Sequence, residues 1–208
     1  MEYQSMHYIY QSSGNPDAVT LLLLHGTGGN EHDLLPLAAS FGKDINILSL
    51  RGNTTENGMP RFFKRLGMGV FDEKDLEFRT NEMVDFIKKL SVLEKFNINK
   101  VVALGYSNGA NIAGATLVLH PNFLLGAILY RPMMPFRDKR SGTNRTNAKV
   151  FLSSGKNDPT VDLSEIEAYT TQLKDSGFKV SNYVINSSHG LTKEDVDLAV
   201  EWFQKIEL

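Results

Sequence analysis

Three short stretches carry side chains that could act together on a carbonyl carbon: Gly105-Tyr106-Ser107-Asn108-Gly109, Asp158-Pro159 and Ser188-His189-Gly190. A serine hydroxyl is a weak nucleophile until a base removes its proton, and an imidazole base needs an acid to orient it and to stabilise its charged form. Ser107 is the candidate nucleophile because G-x-S-x-G here follows an apolar, β-branched run (Val101 to Leu104) and precedes small and apolar residues at helical spacing. A strand, a tight turn and a helix in succession would hold the serine in strained backbone geometry above the sheet, with a helix N-terminus behind it. The two glycines are needed where side chains would collide with neighbours.

Five histidines are available as the base. His7 lies in an N-terminal strand, His25 leads into a glycine turn where a backbone role fits better, and His32 sits in the first turn of a helix. His120 ends the helix that Ser107 begins. His189 stands on a post-strand loop beside a glycine and is the expected base. For the acid, Asp158 follows a strand and precedes Pro159, which biases it toward extended geometry; Asp162 and Asp138 are fallbacks, and a turn aspartate bonded to its own backbone is the competing account of Asp158. The tetrahedral oxyanion needs preorganised donors. The glycine-rich His25-Gly26-Thr27-Gly28-Gly29 lets backbone N–H groups approach closely, so the N–H groups of Thr27 and Asn108 are the expected oxyanion hole. A phosphate cradle is the rival reading of these glycines, but neither the Lys-Ser/Thr of a P-loop nor G-x-G-x-x-G spacing is present.

The elements that must deliver these residues alternate between strand and helix patterns. Ala18 to His25 is a near-continuous apolar run, as expected of a strand covered on both faces. Asn30 is positioned to cap a helix bearing Leu34, Leu35, Leu37, Ala38 and Phe41. Ile45 to Leu50, Leu124 to Tyr130, Lys149 to Ser154 and Phe178 to Asn186 read as further strands, and Tyr3 to Ser12 as an edge strand. Helices are expected after Thr80, from Leu163 to Lys174, and after Thr192. The pattern predicts an α/β fold with a mostly parallel sheet, in which sites gather at the carboxyl ends of strands. Ser107, Asp158, His189 and Gly26-Thr27 all lie just past such ends.

The bulk properties narrow the partners. At 208 residues the chain fits one domain, 1–208, and 41% hydrophobic against 22% charged residues is ordinary for a soluble protein. A formal net charge of −2 offers no electrostatic reason to expect nucleic acid. With no cysteines, a thiolate metal site and a cysteine nucleophile are excluded. The N-terminus lacks the pattern of a secretory signal and no apolar run reaches the ~20 residues of a membrane span, so a cytoplasmic protein without membrane insertion is the expectation.

Between Thr54 and Arg79 the regular pattern stops, and a long irregular segment in a compact domain is usually functional. Met59, Phe62, Phe63, Leu66, Met68, Val70 and Phe71 could line an apolar groove over Ser107, or could simply pack the loop onto the sheet. Arg51 and Arg79 could bond loop carbonyls or a substrate carboxylate.

LLLLHGTGGNEHDLLPLA, GYSNGANIA, GKNDPTV and SSHGL together resemble small α/β-hydrolases of the bacterial carboxylesterase/phospholipase family, similar to acyl-protein thioesterases and to hydrolases found near hydroquinone-dioxygenase genes. The resemblance covers essentially the whole chain. It implies Ser107 as nucleophile, Asp158 as acid, His189 as base, the Thr27 and Asn108 N–H groups as oxyanion hole, no cofactor, no metal and no large lid domain. It places the 54–79 segment where the family shapes its acyl pocket and allows a homodimer. One departure is the serine at the position where the related dienelactone hydrolases use cysteine, which argues against that lactone chemistry. The expected activity is cleavage of small carboxylic esters with short to medium acyl chains. Thioesterase or lysophospholipase action, hydrolysis of aromatic metabolites, and non-catalytic binding of a hydrophobic small molecule are the alternatives; a mere binder would have no need of all three triad groups.

Overall fold

The structure is a computed structural model that describes residues 2–67 and 69–206. In chain order the strands are β1 (Tyr8–Gln11), β2 (Thr20–Leu24), β3 (Asn46–Leu50), β4 (Thr54–Glu56), β5 (Met59–Arg61), β6 (Arg65–Gly67), β7 (Val70–Phe71), β8 (Val101–Tyr106), β9 (Gly126–Tyr130), β10 (Lys149–Gly155) and β11 (Lys179–Ile185). The helices are α1 (Leu35–Ala38), α2 (Glu73–Leu93), α3 (Asn108–Leu119), α4 (Leu163–Asp175) and α5 (Lys193–Gln204). Seven strands form the main sheet in the order β1-β3-β2-β8-β9-β10-β11. Only β1 runs antiparallel, as the edge strand beside β3.

The two faces of this sheet are read directly from strand alternation. Leu22 and Leu24 of β2 and Val101 and Ala103 of β8 join a core with Met83, Ile87 and Leu90 of α2, Ile112 of α3 and Tyr169 of α4. Their neighbours Leu21, Leu23, Val102 and Leu104 face the other way, against Ala38 of α1 and Ala199, Trp202 and Phe203 of α5. Burial on both sides explains why β2 is a continuous leucine run. Each such leucine contributes about 1.5–3 kcal/mol through burial.

Three local expectations are corrected. Asn30 does not cap a helix: its Oδ1 accepts from the N–H of His32 in a turn, and α1 starts only at Leu35. Thr80 lies inside α2, where its hydroxyl donates to the Leu76 carbonyl. The cap is Asp72, whose carboxylate accepts from the Asp75 N–H and favours the dipole end with Glu73. Nor is 54–79 irregular. It contains the β4–β5 hairpin, closed by Asn57 and Gly58 with φ of 51° and 77°, the β6–β7 pair, and the first turns of α2. An Asn-Gly pair with both φ positive is the favoured two-residue hairpin turn. No helix among the described residues is long and apolar enough to cross a membrane.

Candidate active site

Ser107 joins β8 to α3 with φ 52° and ψ −109°, the strained turn expected from its flanking glycines. A Cβ at Gly105 would run into the Gly109 carbonyl, and one at Gly109 into the Leu24 carbonyl, so strand β2 and the start of α3 approach too closely for any side chain. Backbone pairing continues across the turn: the Ser107 N–H donates to the Tyr130 carbonyl at 2.9 Å.

The three predicted triad residues meet, although they are carried by separate loops. Ser107 Oγ lies 3.0 Å from His189 Nε2, and His189 Nδ1 lies 2.6 Å from Asp158 Oδ2. The neighbouring oxygen, Asp158 Oδ1, accepts from both the hydroxyl (2.7 Å) and the N–H (2.9 Å) of Thr160. Burial pushes the Asp158 carboxyl up, but the Thr160 and His189 bonds outweigh it and hold the group below its ordinary range. Asp162, the fallback acid, caps α4 through the Ser164 N–H instead.

His189 is held by groups that sequence reasoning missed. Arg131, in the left-handed region at φ 55°, is fully buried at the end of β9. Its Nε donates to the Ser188 carbonyl, and its Nη2 donates to Ser187 Oγ and the Gly190 carbonyl. Both Nη groups also reach the Asp195 carboxylate at 2.7 Å. Asp195 additionally accepts from Ser153 Oγ, and together with Thr192 it forms the capping box of α5. Burial works against its charge, yet the bonds from Arg131, Ser153 and Thr192 hold its carboxyl below the ordinary range. The Thr192–Asp195 spacing is legible in sequence as a cap; its partner, far away in the chain, is not. Thr160 had a local signal, a hydroxyl two residues after an aspartate, which is a recurrent turn pairing.

Thr27 and Asn108, the residues expected to supply the oxyanion hole, border the same cavity as Ser107 and His189. Among the described residues, neither the Thr27 N–H nor the Asn108 N–H has an acceptor within the protein. Both residues are braced by the 54–79 segment. The Gly28 N–H donates to the Pro60 carbonyl at 2.9 Å, Arg61 Nη1 donates to Thr27 Oγ1, and the Phe62 N–H donates to Asn108 Oδ1 at 2.7 Å. His25 fixes the loop from below, with Nδ1 donating to the Gly26 carbonyl and Nε2 accepting from the Gly52 N–H. Burial lowers the pKa of His25, consistent with a neutral ring that must accept at Nε2. His25 thus has the backbone role expected of it.

The apolar residues of the segment divide. Phe62 (1% exposed) and Phe63 (0%) are core residues, so they pack the segment rather than line a groove; Phe62 stacks beside His25 and Phe63 against Phe71. Met59 is exposed next to Gly28 and does not line the space over Ser107. Phe71 does: it borders a cavity of about 210 Å³ that contains Ser107 and His189. Leu66, 74% exposed, and Val70 border a wider groove of about 580 Å³ that shares Gly69, Phe71 and Met133 with that cavity. Met68 lies outside the described residues. Arg51 pairs with Glu31, and Arg79 with Asp75 and Glu82, so neither reaches the site. The arginines bordering the Ser107 cavity are Arg61, Arg65 and Arg131.

Residues 6–206 match the Phospholipase/Carboxylesterase family over nearly the full chain. The chain belongs to that family. Its fold is accordingly the α/β-hydrolase fold, with no large lid. Within it, MhqD of Bacillus subtilis (strain 168) is 47% identical over 200 residues, covering 96% of this chain and 98% of that protein. A carboxylesterase of Bacillus cereus superposes with a TM-score of 0.93 at 44% identity, covering 97% of this chain and 94% of the other. Acyl-protein thioesterase 1 of Candida albicans is more distant, 26% identical over 94% of this chain and 95% of its own length.

Proposed function

We propose that this family member is a carboxylesterase that works through a Ser107–His189–Asp158 triad and an acyl-enzyme, on small esters with short to medium acyl chains. The observation that carries the reading is the continuous relay from Ser107 Oγ through His189 (3.0 Å) to Asp158 (2.6 Å), opening on a cavity. His189 Nε2 takes the Ser107 proton as Oγ bonds to the ester carbon. The carbonyl oxygen becomes an oxyanion bonded by the Thr27 and Asn108 N–H groups. Collapse of the intermediate breaks the bond to the alcohol oxygen, which receives the proton from His189. Water, deprotonated by His189, then attacks the acyl-enzyme and releases the acid and free Ser107. No cofactor enters these steps.

The test is hydrolysis of p-nitrophenyl acetate by wild type and Ser107→Ala at matched folding. Loss of turnover in the variant is expected; a rate near wild type overturns the assignment. A second reading, thioesterase action on longer chains, is favoured by the apolar groove that continues past Phe71 and Met133. Thioester and ester turnover compared at matched chain length separates the two.

A further inference from the structure

We propose that Asn111 is a substrate-binding residue of the Ser107 cavity, its amide nitrogen donating to an uncharged oxygen carried on the acyl chain of the ester. This inference rests on the esterase reading and adds the class of acyl group. Asn111 stands one turn past Ser107 on α3, and its N–H donates to the Ser107 carbonyl at 3.0 Å. Residues four apart share a helix face, about 5.4 Å from each other along the axis, so the amide lies within a few bonds of an ester attacked by Ser107. Asn111 is the one polar side chain from Gly109 to Ala115, and asparagine is a poorer helix former than the alanines around it. It borders the cavity that contains Ser107 and His189 and is 5% exposed.

One bond fixes which way the amide points. The Met133 N–H, 2.7 Å away, can only donate, so the atom that meets it is Oδ1 and the other is the nitrogen. That nitrogen has no acceptor among the described residues, yet it is not one of their sealed polar atoms that lack a partner, so it keeps an opening. The opening Asn111 borders is the Ser107 cavity. In a solvated cavity water accepts from it. An acyl chain that displaces this water must accept in its place or leave the donor unpaired, and a site so built rejects the analogue without the acceptor.

The two faces of the sheet assign the acyl side. The His189 loop leads into α5, on the face of Trp202 and Phe203, whereas α3 and Met133 lie on the opposite face with Ile112 and Leu129. His189 gives its proton to the alcohol oxygen, so the alcohol leaves beside His189 and the acyl chain takes the Asn111 side. Phe71, Met133 and Val161, which pack on the α3 face, also border the cavity. At about 210 Å³ the cavity is smaller than the ~300–1,000 Å³ of typical drug-sized sites, which suits a short acyl group, apolar apart from one oxygen.

The experiment compares matched 4-nitrophenyl esters: 3-methoxypropanoate against pentanoate, and 4-oxopentanoate against 4-methylpentanoate. Each kcat/KM is divided by the rate constant of the same ester with hydroxide, which removes inductive effects. In at least one pair the oxygenated ester should be favoured by about threefold or more, the scale of one uncharged hydrogen bond. Asn111→Asp keeps an acceptor for the Met133 N–H and loses the donor, so it should bring that ratio to one or below. Asn111→Ala, which adds no charge, should also bring it toward one. A role confined to holding Met133 would slow both esters of a pair alike and leave the ratio unchanged. No preference in either pair, or a preference that survives either variant, would overturn the inference and leave the esterase reading standing. So would a preference found only with the oxygen on the alcohol, 2-methoxyethyl acetate over butyl acetate. If none of the 4-nitrophenyl esters turns over, Ser107 labelled by a fluorophosphonate overturns this inference alone, and Ser107 unreactive to it overturns both.

Discussion

Arg131 and Asp195 form a fully buried, two-armed ion pair, 2.7 Å on each arm, and the same guanidinium grips the loop that carries His189. His189, the proposed base, therefore sits on a loop held by a charge pair rather than by contacts of its own ring alone. Asp195 in turn begins α5, so the last helix, the end of β9 and the His189 loop share one polar knot.

Breaking that knot should be costly. Arg131→Met leaves the Asp195 carboxylate buried and uncompensated, a loss of about 3–5 kcal/mol. Arg131→Lys, a point charge that cannot bond Ser188, Gly190 and Asp195 together, should also destabilise. The urea midpoint measures both, and an unchanged midpoint in Arg131→Met would contradict the role given to the pair.

Thr160 should tune the acid. Thr160→Val removes the hydroxyl bond to Asp158 Oδ1 while keeping the side chain's shape. The Asp158 carboxyl loses one of the bonds that hold it low, and kcat should fall by a few-fold to about tenfold, the scale of a single hydrogen bond. The acid limb of the rate–pH profile should move to higher pH. A profile superimposable on wild type would show that the hydroxyl does not act on the acid.

The three triad groups should act as a unit. Asp158→Asn should lower kcat on the order of ten-thousand-fold by favouring the wrong imidazole tautomer. Ser107→Ala combined with His189→Ala should be scarcely worse than either alone. Multiplicative losses in the double variant would mean that the two side chains work separately.

Folding stability should fall on the acid side of neutrality. A histidine in the unfolded chain titrates near 6.5, and burial holds His25 below that in the fold. His120 is lowered too, by burial and by Lys88. Between the folded and unfolded values the unfolded chain binds the extra protons, so this stability is complete above about pH 6.5 and is lost as pH falls. The Asp158 and Asp195 carboxyls, held below an ordinary 3.8, withdraw their contributions only at lower pH. Urea midpoints at pH 7.5 and 5.5 should drop for wild type, and by less in His25→Gln, where only His120 of the two remains.

Much of this was legible in the chain before any coordinates, for identifiable reasons. Strand β2 declares itself because a strand facing two cores at once must be apolar at successive positions. The meeting of Ser107, Asp158 and His189 was legible because each follows a strand, and parallel strands end on one edge. What escaped were relationships that depend on distance in the fold rather than in the chain. Nothing near Arg131 predicts Asp195, and for Arg51 and Arg79 loop carbonyls and a substrate carboxylate stayed open, because their pairing with Glu31, Asp75 and Glu82 is decided by tertiary placement. For Phe62 and Phe63 the sequence left groove lining and packing both open, and their burial decides for packing. The Asn57-Gly58 turn of the β4–β5 hairpin does have a local signal, an Asn-Gly pair.

The most direct test of the central claim is to treat the protein with a fluorophosphonate and map the adduct by peptide mass spectrometry. A single adduct on Ser107, absent in His189→Ala over the same exposure, is the predicted result. No adduct, or one on another serine while Ser107 stays unmodified, would contradict the triad.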